Sequence, residues 1–446
     1  MTLDRTAGPR RNHPFVARML EETMRYAAAR VPYYRARASG GELRYEGLPL
    51  LDASDYRREP EQFMVLDRFP DMVLVTGGTT GTPGLVVRNV DETEMVFCAE
   101  QGIDPDHVYD PAEFDGFAIH LTDMAHGPLR SPAHGQPVLS LPIELPHHPD
   151  TIRYFLEHGL LIAGGRYRAR EIIGSVTKFK VLTAWLEASD FAVDEAGIRR
   201  VVPYGFHASQ YWTDRLKQYW GAEVSPLYGL TEFNLSGMTV CPACGGHHPP
   251  DTVHYEYFAP DRSGPAAEGD AVLVLTSLYP FITVMPRLRY WTNDLVRILN
   301  RCPVRDDRGF CFLGRADRCL LTTRGRAHRA LLTPIDLVEC LDPIPGAALD
   351  DALLRKLVGD SGLAPTPAGP VRFHLDAAGE RCLVEVDFDP HSERGRAVSF
   401  HDELVSRLRA RCAELFAEID AGTVTFEIEL LRRGDLAARG LQVHTT

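Results

Sequence analysis

The chain has 446 residues, 44% hydrophobic and 24% charged, enough for two to four folding units with an ordinary globular composition. A net charge of −13 opposes phosphate-backbone binding, which depends on clustered Lys and Arg, so nucleic acid is not an expected partner. No run approaches the roughly 18 apolar residues of a membrane span. The opening segment MTLDRTAGPRRNHPF lacks a signal-peptide core, so no membrane and a cytoplasmic location are expected.

Residues 14–31 place Phe15, Met19, Leu20, Ala27 and Val31 on one face of a predicted helix, with Asn12 as cap and Pro32 as stop. Residues 72–76 (MVLVT) read as a buried strand running into Thr76-Gly77-Gly78-Thr79-Thr80-Gly81-Thr82-Pro83-Gly84. Glycines let the backbone turn N–H groups inward and the Thr hydroxyls add donors, which suits a polyphosphate; a Gly-rich hairpin turn is the plainer account. Predicted helices at 151–158 and 209–219 alternate with apolar runs at 160–163 and 271–275, the pattern of an α/β body with extensive parallel pairing. Beyond residue 316 the pattern changes. Strands at 371–375, 383–388 and 424–431 and a helix at 400–419, with Phe400, Leu404, Leu408, Cys412, Leu415 and Ile419 inward, predict a small α+β domain. The expected division is 1–316 and 317–446, with the hinge near Gly314–Asp317.

Two further motifs follow the Gly/Thr loop in order: Tyr228-Gly229-Leu230-Thr231-Glu232, and Tyr290-Trp291-Thr292-Asn293-Asp294-Leu295 with Gly314-Arg315-Ala316-Asp317 after it. Alone, Asp294 and Arg315 read as a surface ion pair; the ordered set reads as a site. A cysteine cluster, Cys241-Pro-Ala-Cys244-Gly-Gly-His247-His248, is joined by the more distant Cys302 and Cys311. C-x₂-C with a nearby His and a distant Cys supplies the ligands of a closed tetrahedral Zn²⁺ site, against the alternative of free thiols and a solvated His pair. The expected set is Cys241, Cys244, His247 and Cys302. Spacing to Asp251 favours His247 over His248, and Cys311 is held in reserve.

Taken together, these motifs resemble the adenylate-forming ligase superfamily and, within it, the phenylacetate:CoA ligase branch, over nearly the whole chain. The resemblance implies that Thr76, Gly78, Thr79, Thr80 and Gly81 hold the nucleotide phosphates. It also implies that Tyr228 stacks on adenine, Gly229 belongs to the same nucleotide-binding segment, Thr231 contacts the α-phosphate, Glu232 binds Mg²⁺, Asp294 holds the ribose, and Arg315 reaches ribose or phosphate. ATP, Mg²⁺ and CoA are the implied cofactors. The implied reaction activates a small aromatic acid as its adenylate and passes it to CoA or an amine, in secondary metabolism, with a homodimer left open. Two departures stand out. The chain has four lysines, Lys178, Lys180, Lys217 and Lys356; Thr82 stands where many relatives carry a loop lysine, and the tail 434–443 has Arg439 but no lysine. Divergent readings are activation of nitrite for diazotisation of an arylamine, or a nucleotide- or aromatic-binding pseudo-enzyme. The polar segment His120, Asp123, His126 falls where the resemblance places an acyl pocket and is given no catalytic role.

Overall fold

A computed structural model describes residues 13–38, 40, 42–75, 85–101, 104, 115–121, 137–141, 143, 148–162, 164–189, 191–205, 207–305, 307–324, 327–344, 371–375, 381–388 and 397–432. It is a mixed α/β protein built on three main sheets. The first is a five-stranded parallel sheet, in spatial order Val138–Leu141, Phe117–Leu121, Ala169–Ser175, Arg200–Tyr204 and Glu223–Val224. Alternation along the strands sends Phe117, Ile119, Leu121, Ile172 and Val201 to one face. There they pack on Phe179 and Leu182 of the helix Val176–Ala188 and on Trp212, Leu216 and Trp220 of Gln210–Trp220. Burying each such large apolar side chain contributes about 1.5–3 kcal/mol. On the other face, Ala118, Ile173 and Val202 pack toward Leu227. The chain leaves the carboxyl end of the edge strand Glu223–Val224 and enters the hairpin Leu227–Leu230/Leu235–Thr239, so the Tyr228–Glu232 motif sits where ligands bind in open α/β sheets.

The second sheet is antiparallel: Val253–Phe258, Asp270–Ser277, Tyr290–Arg301 and Arg308–Arg315. Its core joins the leading helix His13–Arg30 through Met24 and Ala27. The run 271–275, read as part of a parallel body, is thus a central antiparallel strand; buried on both faces, it carries none of the polar alternation that marks antiparallel pairing. The third sheet, Val371–Leu375, Arg381–Phe388 and Thr425–Arg432, pairs once antiparallel and once parallel. It packs on helices Ala397–Arg411 and Ala413–Asp420, and its core extends back to Leu320 and Leu332. The predicted single helix at 400–419 is broken at Cys412 (φ −110°, ψ 53°).

Met72–Val75 pairs antiparallel with Leu85–Arg88, Val75 opposite Leu85, so the Gly/Thr segment connects the two strands of a hairpin. The strand is not buried as its composition suggests: Val73 is 60% exposed. Residues 76–84, with Thr76, Gly78, Thr79, Thr80 and Gly81, lie outside the described residues, as do Asp123, His126 and the tail with Arg439. No described helix is long and apolar enough to cross a membrane.

Candidate active site and metal centre

Asp294 occupies a bulge in the second sheet. Val272 pairs with Leu295 but Val274 with Trp291, so the central strand slips register at this point, and Asn293 adopts φ 63°. Bulges of this kind re-aim a side chain. Thr292 takes up the disturbed backbone: its hydroxyl donates to the Leu273 carbonyl (2.7 Å) and accepts from the Asp294 N–H (3.0 Å). The Asp294 carboxylate, 4% exposed, then accepts from the Tyr228 hydroxyl at Oδ2 (2.6 Å) and from Arg315 Nη1 at Oδ1 (2.8 Å). Asp294 and Arg315 face each other in the strand register.

Burial raises the pKa of Asp294, with Arg315 and Tyr228 opposing it, and burial beside the Asp294 carboxylate holds the Tyr228 phenol far above its ordinary value. Burial works against the Arg315 charge as well, yet Asp294 makes it a stronger cation than usual. Each carboxylate oxygen keeps a lone pair beyond these bonds, so a diol can be gripped without breaking them.

Thr231 and Glu232 form the short 3₁₀ turn Thr231–Phe233, closed by Asn234 at φ 57°. Tyr290 aims its hydroxyl at Glu232 Oε1 (3.5 Å), and Arg287 donates to the Glu232 carbonyl (3.0 Å) and to the Leu85 carbonyl (3.1 Å). Arg287 thereby ties the hairpin of the Gly/Thr loop to the Tyr228–Glu232 motif. Sequence reasoning missed both Tyr290, which stood inside a quoted motif, and Arg287, which stood in none. Gly229 is exposed beside them.

Cys241, Cys244, His248 and Cys302 bring their ligand atoms within 4.8 Å of one another. The Cys241 and Cys302 sulfurs lie 3.9 Å apart, close to the edge of about 3.8 Å that Zn–S bonds near 2.3 Å set in a tetrahedron. Cys244 Sγ lies 3.1 Å from His248 Nε2, while His248 Nδ1 lies 2.6 Å from the buried carboxylate of Asp307. A carboxylate behind a histidine fixes the ring and raises its basicity as a ligand. Against burial, backbone N–H groups of Arg305 and Val304 and the thiols of Cys244 and Cys241 bring the Cys302 thiol to about 7, while burial pushes that of Cys244 up to about 11. The donor set therefore fits a closed zinc site.

The histidine of this group is His248, which corrects the expectation of His247. His247 exchanges two backbone hydrogen bonds with Phe310 (2.8 and 3.0 Å), an antiparallel bridge that turns its ring to the opposite side. There Nδ1 donates to the Met238 carbonyl (3.2 Å) and the ring packs 5.6 Å from Tyr228. Cys311 is outside the group, its thiol on the Gly245 carbonyl (3.7 Å).

No family model matches the chain, and no curated protein matches it in sequence. In fold it is similar to 2-hydroxyisobutyryl-CoA ligase in the postadenylation state with an acyl-AMP, at 13% identity and TM-score 0.64 over 97% of this chain and 87% of that one. It is also similar to an anthranilate CoA ligase with anthranoyl-AMP (13%, TM-score 0.51, 83% and 67% covered). A third similar structure is the O-succinylbenzoate coenzyme A synthetase of Bacillus subtilis with AMP (15%, TM-score 0.50, 83% and 67%). The chain thus has the fold of the adenylate-forming CoA ligases.

Proposed function

We propose that the chain is an ATP-dependent, Mg²⁺-requiring ligase that activates a small aromatic acid as its adenylate and passes it to CoA or an amine. The observation that carries this reading is the hydrogen-bonded chain Tyr228–Asp294–Arg315: a buried carboxylate of the antiparallel sheet, preset by two donors, one of them from the hairpin that follows the parallel sheet, in a ligase fold. Asp294 holds the ribose hydroxyls and Arg315 reaches ribose or phosphate. Glu232 takes Mg²⁺, Thr231 meets the α-phosphate, and Thr76, Thr79 and Thr80 with Gly78 and Gly81 cradle the remaining phosphates. Joining a carboxylate to a phosphate brings two anions together, so the site's work is to spread charge over N–H groups, hydroxyls and metal. Acyl-AMP and AMP bound in the similar ligases support the same assignment.

Cys241, Cys244, His248 and Cys302 hold a structural Zn²⁺, since four protein ligands leave no open position for water. Residues 1–316 form the nucleotide- and acid-binding domain, and 317–446 a small domain that rotates about Asp317 between half-reactions. The test is pyrophosphate release with a panel of aryl and short-chain acids, with nitrite plus an arylamine, and with no acid; release dependent on an acid is expected. Asp294→Ala should weaken ATP binding about 10- to 150-fold, equivalent to roughly 1.5–3 kcal/mol for bonds to a charged group. Unchanged ATP affinity in that variant would remove Asp294 from the ribose site.

A further inference from the structure

Arg287 is a guanidinium inside the molecule, 2% exposed, and among the described residues no carboxylate pairs with it; its Nη partners are neutral. Its backbone is pinned to the central strand Asp270–Ser277. The Arg287 N–H donates to Ser277 Oγ (2.7 Å), and the Arg287 carbonyl accepts from Ser277 N (2.8 Å) and Ser277 Oγ (3.1 Å). From that base the side chain forks. Nη1 donates to the carbonyl of Glu232 (3.0 Å) and, less closely, to that of Met285 (3.4 Å), while Nη2 donates to the carbonyl of Leu85 (3.1 Å). The Tyr56 and Tyr290 rings lie 5.1 and 5.9 Å from its central carbon and offset part of the desolvation. Neutral partners offset a buried charge poorly, and for folding alone an apolar side chain of similar volume would often serve as well or better. What only a planar fork supplies is two donors at a fixed separation, here one on each of two chain segments. Those segments are the first residue of the strand Leu85–Arg88, which leaves the Gly/Thr loop, and the turn Thr231–Phe233, which carries Glu232.

We propose that Arg287 is a positioning residue for Mg·ATP: acting through those two carbonyls rather than on the nucleotide, it sets the Glu232 turn at a fixed distance from the start of the strand Leu85–Arg88. This rests on the adenylating reading above, in which Glu232 takes Mg²⁺ and the segment before Leu85 takes phosphates. A lysine in its place keeps the charge but presents its donors from one point and cannot span both carbonyls. A methionine keeps much of the volume and neither bond.

The experiment titrates Mg·ATP and AMP into the full chain by calorimetry, for wild type, Arg287→Met and Arg287→Lys, and records the thermal midpoint of each free protein. Both variants should lose about tenfold or more in Mg·ATP affinity, the order that one bond to a charged group carries. AMP, gripped through Asp294, should stay within about twofold in both, because the Tyr228–Asp294–Arg315 chain is untouched. The midpoint of Arg287→Met should stay within about 4 °C of wild type. Unaltered Mg·ATP affinity in both variants overturns the proposal and leaves the adenylating reading standing. Recovery of Mg·ATP binding by Arg287→Lys overturns it too, since charge and not the fork would then be what matters. Equal losses for Mg·ATP and AMP with a fallen midpoint make the arginine merely structural and overturn it as well. Should Arg287→Met not fold, the Mg·ATP to AMP comparison in Arg287→Lys decides, and failure of both variants to fold assigns Arg287 to the fold alone. A wild type that binds no Mg·ATP defeats the adenylating reading, and the proposal with it.

Discussion

His247 and His248 are adjacent and chemically identical, yet their rings point to opposite sides. The backbone bridge between His247 and Phe310 puts successive side chains on opposite sides, sending His248 to the sulfurs and His247 to the Tyr228 ring. Gly309 permits it: a Cβ there would meet the His248 ring at 2.9 Å. We therefore expect His248→Ala to lose zinc, and His247→Ala to keep about one equivalent while weakening ATP binding several-fold through a loosened Tyr228. Metal analysis and nucleotide titration of the two variants separate the roles. Less than half an equivalent of zinc in wild type purified without chelator, with Cys241 and Cys244 freely alkylated, would defeat the metal centre. The cysteines themselves were legible because C-x₂-C fixes two sulfurs locally. Which histidine joins them depends on a bridge to a strand about 60 residues away, and Asp307 had no local signal at all.

At the scale of elements, the helix Pro334–Leu341 docks on the amino-terminal end of Gln210–Trp220. Glu339 accepts from the Gln210 N–H (3.1 Å) and pairs with His207 (2.6 Å), placing a carboxylate at a helix N-terminus. Asp342 takes Lys180 (2.9 Å) and the Ser209 hydroxyl. Lys180 is only 6% exposed at its side chain, so Asp342→Ala strands a buried ammonium. It should destabilise the chain by about 3–5 kcal/mol and open the segment around 317–333 to protease. Denaturant unfolding and limited proteolysis check this, and a change under about 0.5 kcal/mol with unaltered cleavage counts against it. His207 and Gln210 hold Glu339 below the ordinary carboxylate value although burial opposes them. Its contribution is present above the unfolded carboxylate pKa and is lost as pH falls through the lowered one. Helix His13–Arg30 and the strands of the small sheet were readable because their apolar period is strong. The break at Cys412 was not, since the inward set Phe400, Leu404, Leu408, Cys412 and Leu415 continues across it with every member buried. Nor was the exposure of Met72–Val75, where an apolar run serves a hairpin rather than a sheet interior.

For the whole molecule, the distribution of positive charge is the feature that composition and structure state together. Lys178 and Lys180 are both buried in the helix Val176–Ala188, and Lys217 lies on the helix Gln210–Trp220. After Lys356 no lysine remains. The resemblance assigns adenylation to a tail ammonium, and residues 357–446 hold no lysine; on the proposed reading, Mg²⁺, the loop hydroxyls and Arg439 would neutralise the α-phosphate. Arginine is always protonated but forked, so it substitutes for a point charge only where its plane can be aligned. We expect the ordinary carboxylate panel to release pyrophosphate slowly, and one special acid, whose own charge or nucleophilicity makes the ammonium dispensable, to react well. With that acid, Arg439→Ala should cut the activation rate about 10- to 1,000-fold, the loss of one charge-assisted contact in the transition state. The thioester-forming step, started from synthetic acyl-adenylate, should change little, because that half-reaction carries no developing pyrophosphate charge. Single-turnover rates for the two half-reactions measure both quantities. Fast conversion of simple aryl acids to thioesters, indifferent to Arg439→Ala, would mean that the chain solves its charge problem without the tail.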